Sequence, residues 1–235
     1  MPLTFKIICI RISAKGSAFF MVKVSPSILS ADFLDMKKDL EDLKAGGVDM
    51  LHVDVMDGNF VPNISFGVPL IQSFKKHTDI PLDVHLMIDK PHRYIKDFAA
   101  VSDWLGFHYE AGSPVKETLE EIRALGCKST LTIKPKTSAE EIFEFLPLCD
   151  MVLVMSVEPG FGGQKFMPES LDKVRALKAE IERQGLACEI EIDGGVNAET
   201  APLAAEAGVT VLVAGSFVFN AEDKGEKIRG LKALG

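Results

Sequence analysis

Residues 51–57 read LHVDVMD, a run in which apolar and ionisable side chains alternate. Successive side chains of a β-strand point to opposite faces, so His52, Asp54 and Met56 share one face and the valines share the other. Strands of a parallel sheet are covered on both faces and are normally continuous apolar runs, so ionisable residues inside one need a reason. The segment is therefore predicted to be a buried strand whose polar face carries a function.

Seven more β-rich runs, each followed by a helical segment, repeat this arrangement along the chain. No long linker or low-complexity segment interrupts the alternation, which favours one α/β domain, a (β/α)8 or TIM barrel. A doubly wound open sheet is the alternative. The predicted strands are 23–29, 50–57, 81–88, 104–110, 128–134, 151–157, 189–193 and 211–216.

Start and stop signals predict the bounds of two of the helices. The first is predicted over 32–45, with Asp32 as its cap and Gly46-Gly47 closing it. The second is predicted over 168–184, because Pro168 suits a first turn and Gly185 suits the position after a helix end.

Residues 1–20 differ from the rest of the chain, since they contain basic residues and no acid and precede a second methionine, Met21. We predict that they form an N-terminal extension outside the barrel, which takes residues 21–235. Such a basic segment is typical either of an organelle transit peptide or of an over-extended start.

Overall charge and cysteine content bear on partners and location. A net charge of -8 and a pI near 5.2 argue against nucleic acid and anionic membrane as partners. The four cysteines are far apart and show neither a disulfide framework nor a thiolate zinc motif. We expect a cytoplasmic protein, with organelle import through residues 1–20 as the alternative.

Two further strands add ionisable residues to those of the first. Asp83, His85 and Met87 share a face of the third strand, and the seventh strand ends at Asp193. Barrel active sites lie at the carboxyl ends of the strands, where His52, Asp54, His85 and Asp193 are expected to meet. Two nitrogen and two oxygen ligands suit a divalent Zn, Fe, Mn or Co ion better than Ca or Mg.

Three other ionisable residues keep more than one interpretation. Asp83 lies deeper along its strand than His85, so it is expected either to hold an imidazole in its metal-binding tautomer or to form a buried ion pair. His108 and Glu110 share a face of the fourth strand; competition as alternative metal ligands is one interpretation, and the sequence leaves their role open.

Glycines follow the last three predicted strands. They are Gly160, Gly162 and Gly163 after the sixth strand, Gly194-Gly195 after the seventh and Gly215 before Ser216 at the eighth. Barrel enzymes bind phosphate with backbone N–H groups in this region, although any single glycine pair is more typical of a tight turn. Together the glycines predict a phosphate site, and 160–163 is also a candidate for a mobile lid.

Six motifs make the pattern specific: 25–32 (SPSILSAD), 52–63 (HVDVMDGNFVPN), 85–87 (HLM), 154–166 (VMSVEPGFGGQKF), 193–196 (DGGV) and 215–216 (GS). Together they resemble the ribulose-phosphate 3-epimerase family, from about Val22 to the C-terminus. The resemblance implies an isomerase of the pentose phosphate pathway that interconverts D-ribulose 5-phosphate and D-xylulose 5-phosphate. It also implies a homo-oligomer, either a dimer or a hexamer.

The same resemblance assigns roles to residues. His52, Asp54, His85 and Asp193 would bind the metal, with Asp54 as proton acceptor and Asp193 as proton donor in one direction. The residues expected to contact or surround the sugar phosphate are Ser27, His52, His85, Met56, Met87, Met155, Gly160, Phe161, Gly162, Gly163, Gly194, Gly195, Gly215 and Ser216.

The implied chemistry is inversion at carbon 3 of a 2-ketose phosphate. One carboxylate removes a proton next to the carbonyl and the other returns one to the opposite face, while a cation stabilises the enediolate between these steps. Two other activities fit the pattern: epimerisation of allulose 6-phosphate, and the reaction of a phosphate-binding barrel lyase. Barrel lyases usually rely on a lysine in the barrel, whereas these strands offer histidines and aspartates.

Overall fold

The computed structural model describes Arg11–Ile12, Ala18–Phe19 and residues 22–235. Arg11–Ile12 and Ala18–Phe19 pair as a short antiparallel ladder, separate from the main sheet. Apart from that pair, the predicted extension over 1–20 and its boundary at Met21 fall outside the described residues, so this division of the chain stays a prediction.

Eight parallel strands form the main sheet, in which the first strand is followed by the eighth, seventh, sixth, fifth, fourth, third and second strands of the chain. The isolated parallel bridge between Ser27 and His52 joins the two ends of that order and closes a barrel. The barrel is confirmed, and the open sheet is excluded. The strands are β1 Lys23–Ser25, β2 Leu51–Met56, β3 Leu82–Met87, β4 Trp104–His108, β5 Lys128–Ile133, β6 Met151–Met155, β7 Glu189–Asp193 and β8 Val211–Val213.

All eight predicted strands are present, and seven end earlier than predicted. The polar and glycine-rich residues after each strand leave the ladder and form the loops of the barrel mouth. The helices that follow are α1 Met36–Ala45, α2 Val68–His77, α3 Ile95–Ala99, α4 Val115–Ala124, α5 Ser170–Gln184, α6 Thr200–Ala207, α7 Ser216–Phe219 and α8 Lys224–Lys232.

The predicted start of the first helix is wrong by four residues. The Asp32 carboxylate accepts a hydrogen bond from the N–H of Leu34, which makes a turn of this segment. Asp35 takes the N-cap position before Met36. α5 begins at Ser170, two residues after Pro168, and ends as predicted before Gly185, which has a φ of 67°.

The helical segment after β5, Ala139–Leu148, is a 3-10 helix. It begins with a capping box in which Ser138 and Glu141 satisfy each other's backbone N–H groups. Pro147 lies in its last turn, where the missing N–H favours a short, tight helix end.

The outer face of the barrel sheet is apolar, and the side chains inside the barrel differ between its two ends. Outward-facing valines and leucines of the strands pack against the helices as one continuous core. At the amino ends of the strands Met50, Trp104, Met151 and Val211 fill the barrel as a separate buried layer from alternate strands. The inner residues nearer the carboxyl ends include many polar side chains, and these build the site described next. Within residues 22–235, no helix has the length and apolarity needed to cross a bilayer.

Candidate active site at the carboxyl ends of the strands

A cavity of about 550 Å³ opens at the carboxyl ends of the strands. Its wall combines residues from β2 and β3 with the loops after β1, β6, β7 and β8. His52 and His85 do not line it, because both are almost completely buried in the barrel. The predicted substrate-contacting residues that do line it are Ser27, Met56, Met87, Met155, Gly160, Phe161, Gly162, Gly163, Gly194, Gly195, Gly215 and Ser216.

Three donor atoms meet directly beneath this cavity, and Asp54 is the one of the three residues that lines it. His52 Nε2 lies 3.3 Å from His85 Nδ1 and 3.4 Å from Asp54 Oδ1, and His85 Nδ1 lies 3.3 Å from the same Asp54 oxygen. Asp193, on β7, adds a carboxylate oxygen, and the four ligand atoms all lie within 4.8 Å of one another. The paired register of β2 and β3, which sets Asp54 beside His85, produces this convergence.

The triangle of donor atoms has the size that a four-coordinate transition metal requires. Ligands about 2.0–2.1 Å from a tetrahedral zinc ion are separated by roughly 3.3 Å. The three measured edges, 3.3, 3.3 and 3.4 Å, match that spacing. With two imidazoles and two carboxylates the set can hold one divalent cation.

Asp54 is held in a fixed orientation by its neighbours. Ser27 Oγ donates to Asp54 Oδ2 at 2.5 Å, which leaves Oδ1 for the two histidines. Burial opposes ionisation of this carboxyl, but His52 and His85 outweigh that effect and lower its pKa. Asp54 is therefore a carboxylate at neutral pH.

Asp193 has the opposite electrostatic environment. Burial first, and the nearby charge of Asp54 second, raise its pKa to about 7. Two carboxyl groups in one cavity thus differ widely in proton affinity, which is the pattern of a paired base and acid.

Asp83 determines which nitrogen of His52 faces the cluster. His52 Nδ1 donates to Asp83 Oδ2 at 2.6 Å, so Nε2 points toward His85 and Asp54. Burial opposes a charge on His52, yet Asp83 and Asp54 together raise its pKa. A cation at the cluster would replace that stabilised proton, because metal ligands must be deprotonated.

A deeper group also brings three donor atoms together. His52, Asp83 and Glu191 offer atoms within 4.8 Å of one another. The 2.6 Å between His52 Nδ1 and Asp83 is a hydrogen-bond distance, shorter than the spacing of two ligands on one ion. Glu191 was not among the predicted site residues, although it lies two residues before Asp193 and so shares its strand face.

His108 and Glu110 do not belong to either donor group found among the described residues. His108 lies behind His85, with the two Nε2 atoms 2.9 Å apart, and its Nδ1 lies 3.3 Å from Glu110 Oε2. Burial lowers the pKa of His108 to about 4, so its imidazole is neutral. The structure therefore places this pair next to a predicted ligand and not in the donor cluster.

The turn after β7 can be formed only by glycine. Gly194 and Gly195 have φ angles of 121° and 65°, in the left-handed region that other residues avoid. A Cβ at Gly195 would lie 2.5 Å from the backbone nitrogen of Phe166. The backbone of two loops thus packs closely here, an arrangement that lets N–H groups approach an anion.

The loop over 160–163 is bound both to itself and to the loop after β2. Asn63 Nδ2 donates to the carbonyl of Gly160 at 2.8 Å, and Gln164 Nε2 donates to the carbonyls of Glu158 and Phe161. Phe161 is 54% exposed at the rim of the cavity. That this loop acts as a lid stays a prediction.

Comparisons with known proteins find one family model and several similar proteins that match this chain. The model of a family described as "Ribulose-phosphate 3 epimerase family" matches residues 23–219. The chain is 46% identical over 217 residues to "Ribulose-phosphate 3-epimerase" of Bacillus subtilis, covering 90% of this chain and all of the relative. It is 50% identical over 199 residues to the protein of that name from Rhodobacter capsulatus, covering 84% and 86% of the two chains.

A solved 3-hexulose-6-phosphate synthase is similar in fold. The superposition has a TM-score of 0.63 and 19% identity, and it covers 91% of this chain and 99% of that one. This likeness supports the barrel architecture alone, since one barrel hosts many activities.

Proposed function

The chain belongs to the ribulose-phosphate 3-epimerase family, and from that premise we propose that it interconverts D-ribulose 5-phosphate and D-xylulose 5-phosphate. This reaction is a step of the pentose phosphate pathway. The observation that carries the proposal is the 3.3–3.4 Å triangle of His52, His85 and Asp54 atoms, with Asp193 reaching it from β7.

Asp54 and Asp193 are proposed as the base and the acid, respectively, for one direction of the inversion. In one direction the Asp54 carboxylate takes the proton from carbon 3, and the electron pair left behind is delocalised onto the carbonyl oxygen at carbon 2. Asp193 then delivers a proton to the opposite face of carbon 3. The two groups come from β2 and β7, well separated around the barrel ring, which lets them approach a planar intermediate from different sides.

His52, Asp54, His85 and Asp193 would hold a divalent Zn, Fe, Mn or Co ion. When bound, such an ion would supply Lewis-acid stabilisation of the negative charge that develops on the sugar oxygens. Ser27 keeps Asp54 oriented through the 2.5 Å hydrogen bond. Met56, Met87 and Met155 surround the reacting carbon with side chains that have no proton to exchange.

The glycine loops would bind the other end of the substrate. Gly194, Gly195, Gly215 and Ser216 line the cavity beside Asp193, where backbone N–H groups can accommodate a phosphate. An acidic protein with a net charge of -8 needs such a local device to hold a dianion.

An assay with purified full-length protein tests this proposal. We expect conversion of D-ribulose 5-phosphate in a coupled assay, loss of activity after thorough chelation, and recovery on adding back a divalent transition metal. Full activity after chelation, with elemental analysis showing no metal, would refute the metal role.

Allulose 6-phosphate, assayed side by side, tests the six-carbon alternative. We expect a higher kcat/KM for the five-carbon sugar, and the reverse order would reassign the substrate.

Light scattering of the same preparation will measure whether the chain forms the expected dimer or hexamer.

A further inference from the structure

We propose that His108 and Glu110 are positioning residues, which fix the nitrogen that His85 presents to the proposed cation site. This inference rests on the proposed metal site. It assigns to these two residues a role different from that of a metal ligand.

The three side chains form a continuous hydrogen-bonded row. His85 Nε2 lies 2.9 Å from His108 Nε2, and His108 Nδ1 lies 3.3 Å from Glu110 Oε2. Both histidines are at most 1% exposed, so water does not compete for these contacts. His85 Nδ1 is left facing His52 and Asp54.

The number of ring protons fixes the direction in which the hydrogen bonds of this row are donated, from His85 to His108 to Glu110. A 2.9 Å contact between two imidazole nitrogens needs one hydrogen and one lone pair. If His85 Nδ1 gives its lone pair to a cation, its Nε2 must carry the hydrogen and donate it to His108. The single proton of His108 then lies on Nδ1, where the Glu110 carboxylate accepts it.

Glu110 is itself held in place from the neighbouring loop. Its Oε1 accepts a hydrogen bond from the backbone N–H of Lys134 at 2.8 Å and another from the hydroxyl of Thr137. The ring of Phe60 packs on His108 with centroids 4.8 Å apart, and Lys134 Nζ lies 3.8 Å from the centroid of the same ring. The row therefore ends in an anchored carboxylate.

The two imidazoles of the cluster would thus be oriented by different routes. His52 donates directly to the Asp83 carboxylate, whereas His85 reaches a carboxylate through a second imidazole. Partners of this kind strengthen metal binding, and their loss typically lowers metal affinity by roughly 10–100-fold.

Two His108 variants and a matched control test the proposal. His108→Leu removes the acceptor for His85 and is expected to weaken Zn²⁺ binding by roughly 10–100-fold, measured by competition with a chromophoric chelator. His108→Gln places an amide oxygen near the position of His108 Nε2, where it can accept the His85 hydrogen. This variant is expected to retain most of the Zn²⁺ affinity of the wild type. Thr132→Val is the control, because Thr132 is buried and paired with His108 in the ladder, and no hydrogen-bond partner for its hydroxyl is found among the described residues.

Long-range 1H–15N spectra of the zinc-loaded wild type give a readout that needs no variant. We expect the proton of His85 on Nε2 and that of His108 on Nδ1. Protonation of His108 on Nε2, or equal zinc affinity of His108→Leu and Thr132→Val, would overturn the proposal even if the enzyme binds zinc and epimerises its substrate. A wild type that binds no divalent cation would overturn the proposed metal site together with this inference.

Discussion

The wall of the cavity formed by β2 and β3 differs from the wall formed by the loops after β6, β7 and β8. Asp54 lines the first wall, and the imidazoles of His52 and His85 are buried behind it. All three residues are at most 4% exposed, and their donor atoms lie 3.3–3.4 Å apart. The second wall is formed largely by backbone, with glycines at positive φ angles such as 121° at Gly194. Its side chain Phe161 is half-exposed.

This difference follows from the charge that each wall is proposed to hold. A small cation needs a few anionic or lone-pair atoms in fixed positions, which buried strand side chains provide. A phosphate is larger and anionic, and it is bound well by several backbone N–H groups that only side-chain-free residues allow it to approach. Asp193-Gly194 is the point in the chain where the two walls join.

The largest expected effect concerns the carboxylate of the first wall, Asp54, and the one at the junction of the two walls, Asp193. Asp54→Asn and Asp193→Asn each remove a proposed proton-transfer group while preserving side-chain shape, so kcat is expected to fall by roughly 10³-fold. Coupled-assay kinetics and circular dichroism would be measured for both. Asp172→Asn, on the exposed surface of α5, is the control. A near-normal kcat in either cavity variant would show that its acid/base assignment is wrong.

The second wall is expected to respond to a change of backbone rather than of charge. Gly195→Ala puts a Cβ 2.5 Å from the Phe166 nitrogen at a φ of 65°, which must displace the turn after β7. A displacement of about 1 Å can cost roughly 10²-fold in catalysis, so we expect kcat/KM to fall by that order. Zn²⁺ affinity should change much less, and an equal loss of both would contradict the division into two walls.

An effect of intermediate size is expected on the free energy of unfolding at acidic pH, through the carboxylate of Glu110. Burial opposes ionisation of Glu110, but hydrogen bonds from His108, Thr137 and the Lys134 N–H lower its pKa from 4.5 to about 2. The unfolded state therefore binds the proton more tightly, and the folded state loses stability as the pH falls from 4.5 toward 2. The difference between the two pKa values of Glu110 corresponds to roughly 3 kcal/mol of unfolding free energy.

Urea unfolding with chelator present, from pH 7 to pH 2.5, measures this contribution. Glu110→Gln is expected to show a shallower loss of unfolding free energy below pH 4.5 than the wild type. Parallel curves for the two proteins would mean that Glu110 is not stabilised as an anion in the fold.

The smallest effect is expected far from both walls. Gly230 lies inside α8, and a Cβ there would meet no atom within 4 Å. Gly230→Ala should raise the free energy of unfolding by roughly 0.5–1 kcal/mol, because alanine loses less backbone entropy in a helix. Activity should be unchanged, which makes this variant the glycine control for Gly195→Ala. A loss of activity would mean that α8 is coupled to the cavity.

Local patterns in the sequence predicted most of the fold. The strand patterns placed all eight strands, because each depends on neighbours one or two residues away. The start of α1 was missed because Asp32 and Asp35 are equally good caps in sequence, and only the turn made by Asp32 with Leu34 selects the second. The 3-10 form of Ala139–Leu148 was likewise not predicted from its composition.

The candidate site was predicted as a set of residues but not as a geometry. His52, Asp54, His85 and Asp193 were identified from strand parity and from the family motifs, and their donor atoms lie together. The hydrogen-bonded row from His85 to Glu110 was not predicted, since it depends on the register of β3 against β4 and on the loop after β5.

The sequence by itself determined which side chains face into the barrel, because the two-residue repeat of a strand is a local property of the backbone. It also determined the glycine positions, since a positive φ is a demand on a single residue. Only the tertiary structure decided that atoms from β2, β3 and β7 lie within 4.8 Å of one another, because strand register and barrel closure depend on contacts between segments distant in the chain. The same packing placed His108 behind His85, outside the donor cluster.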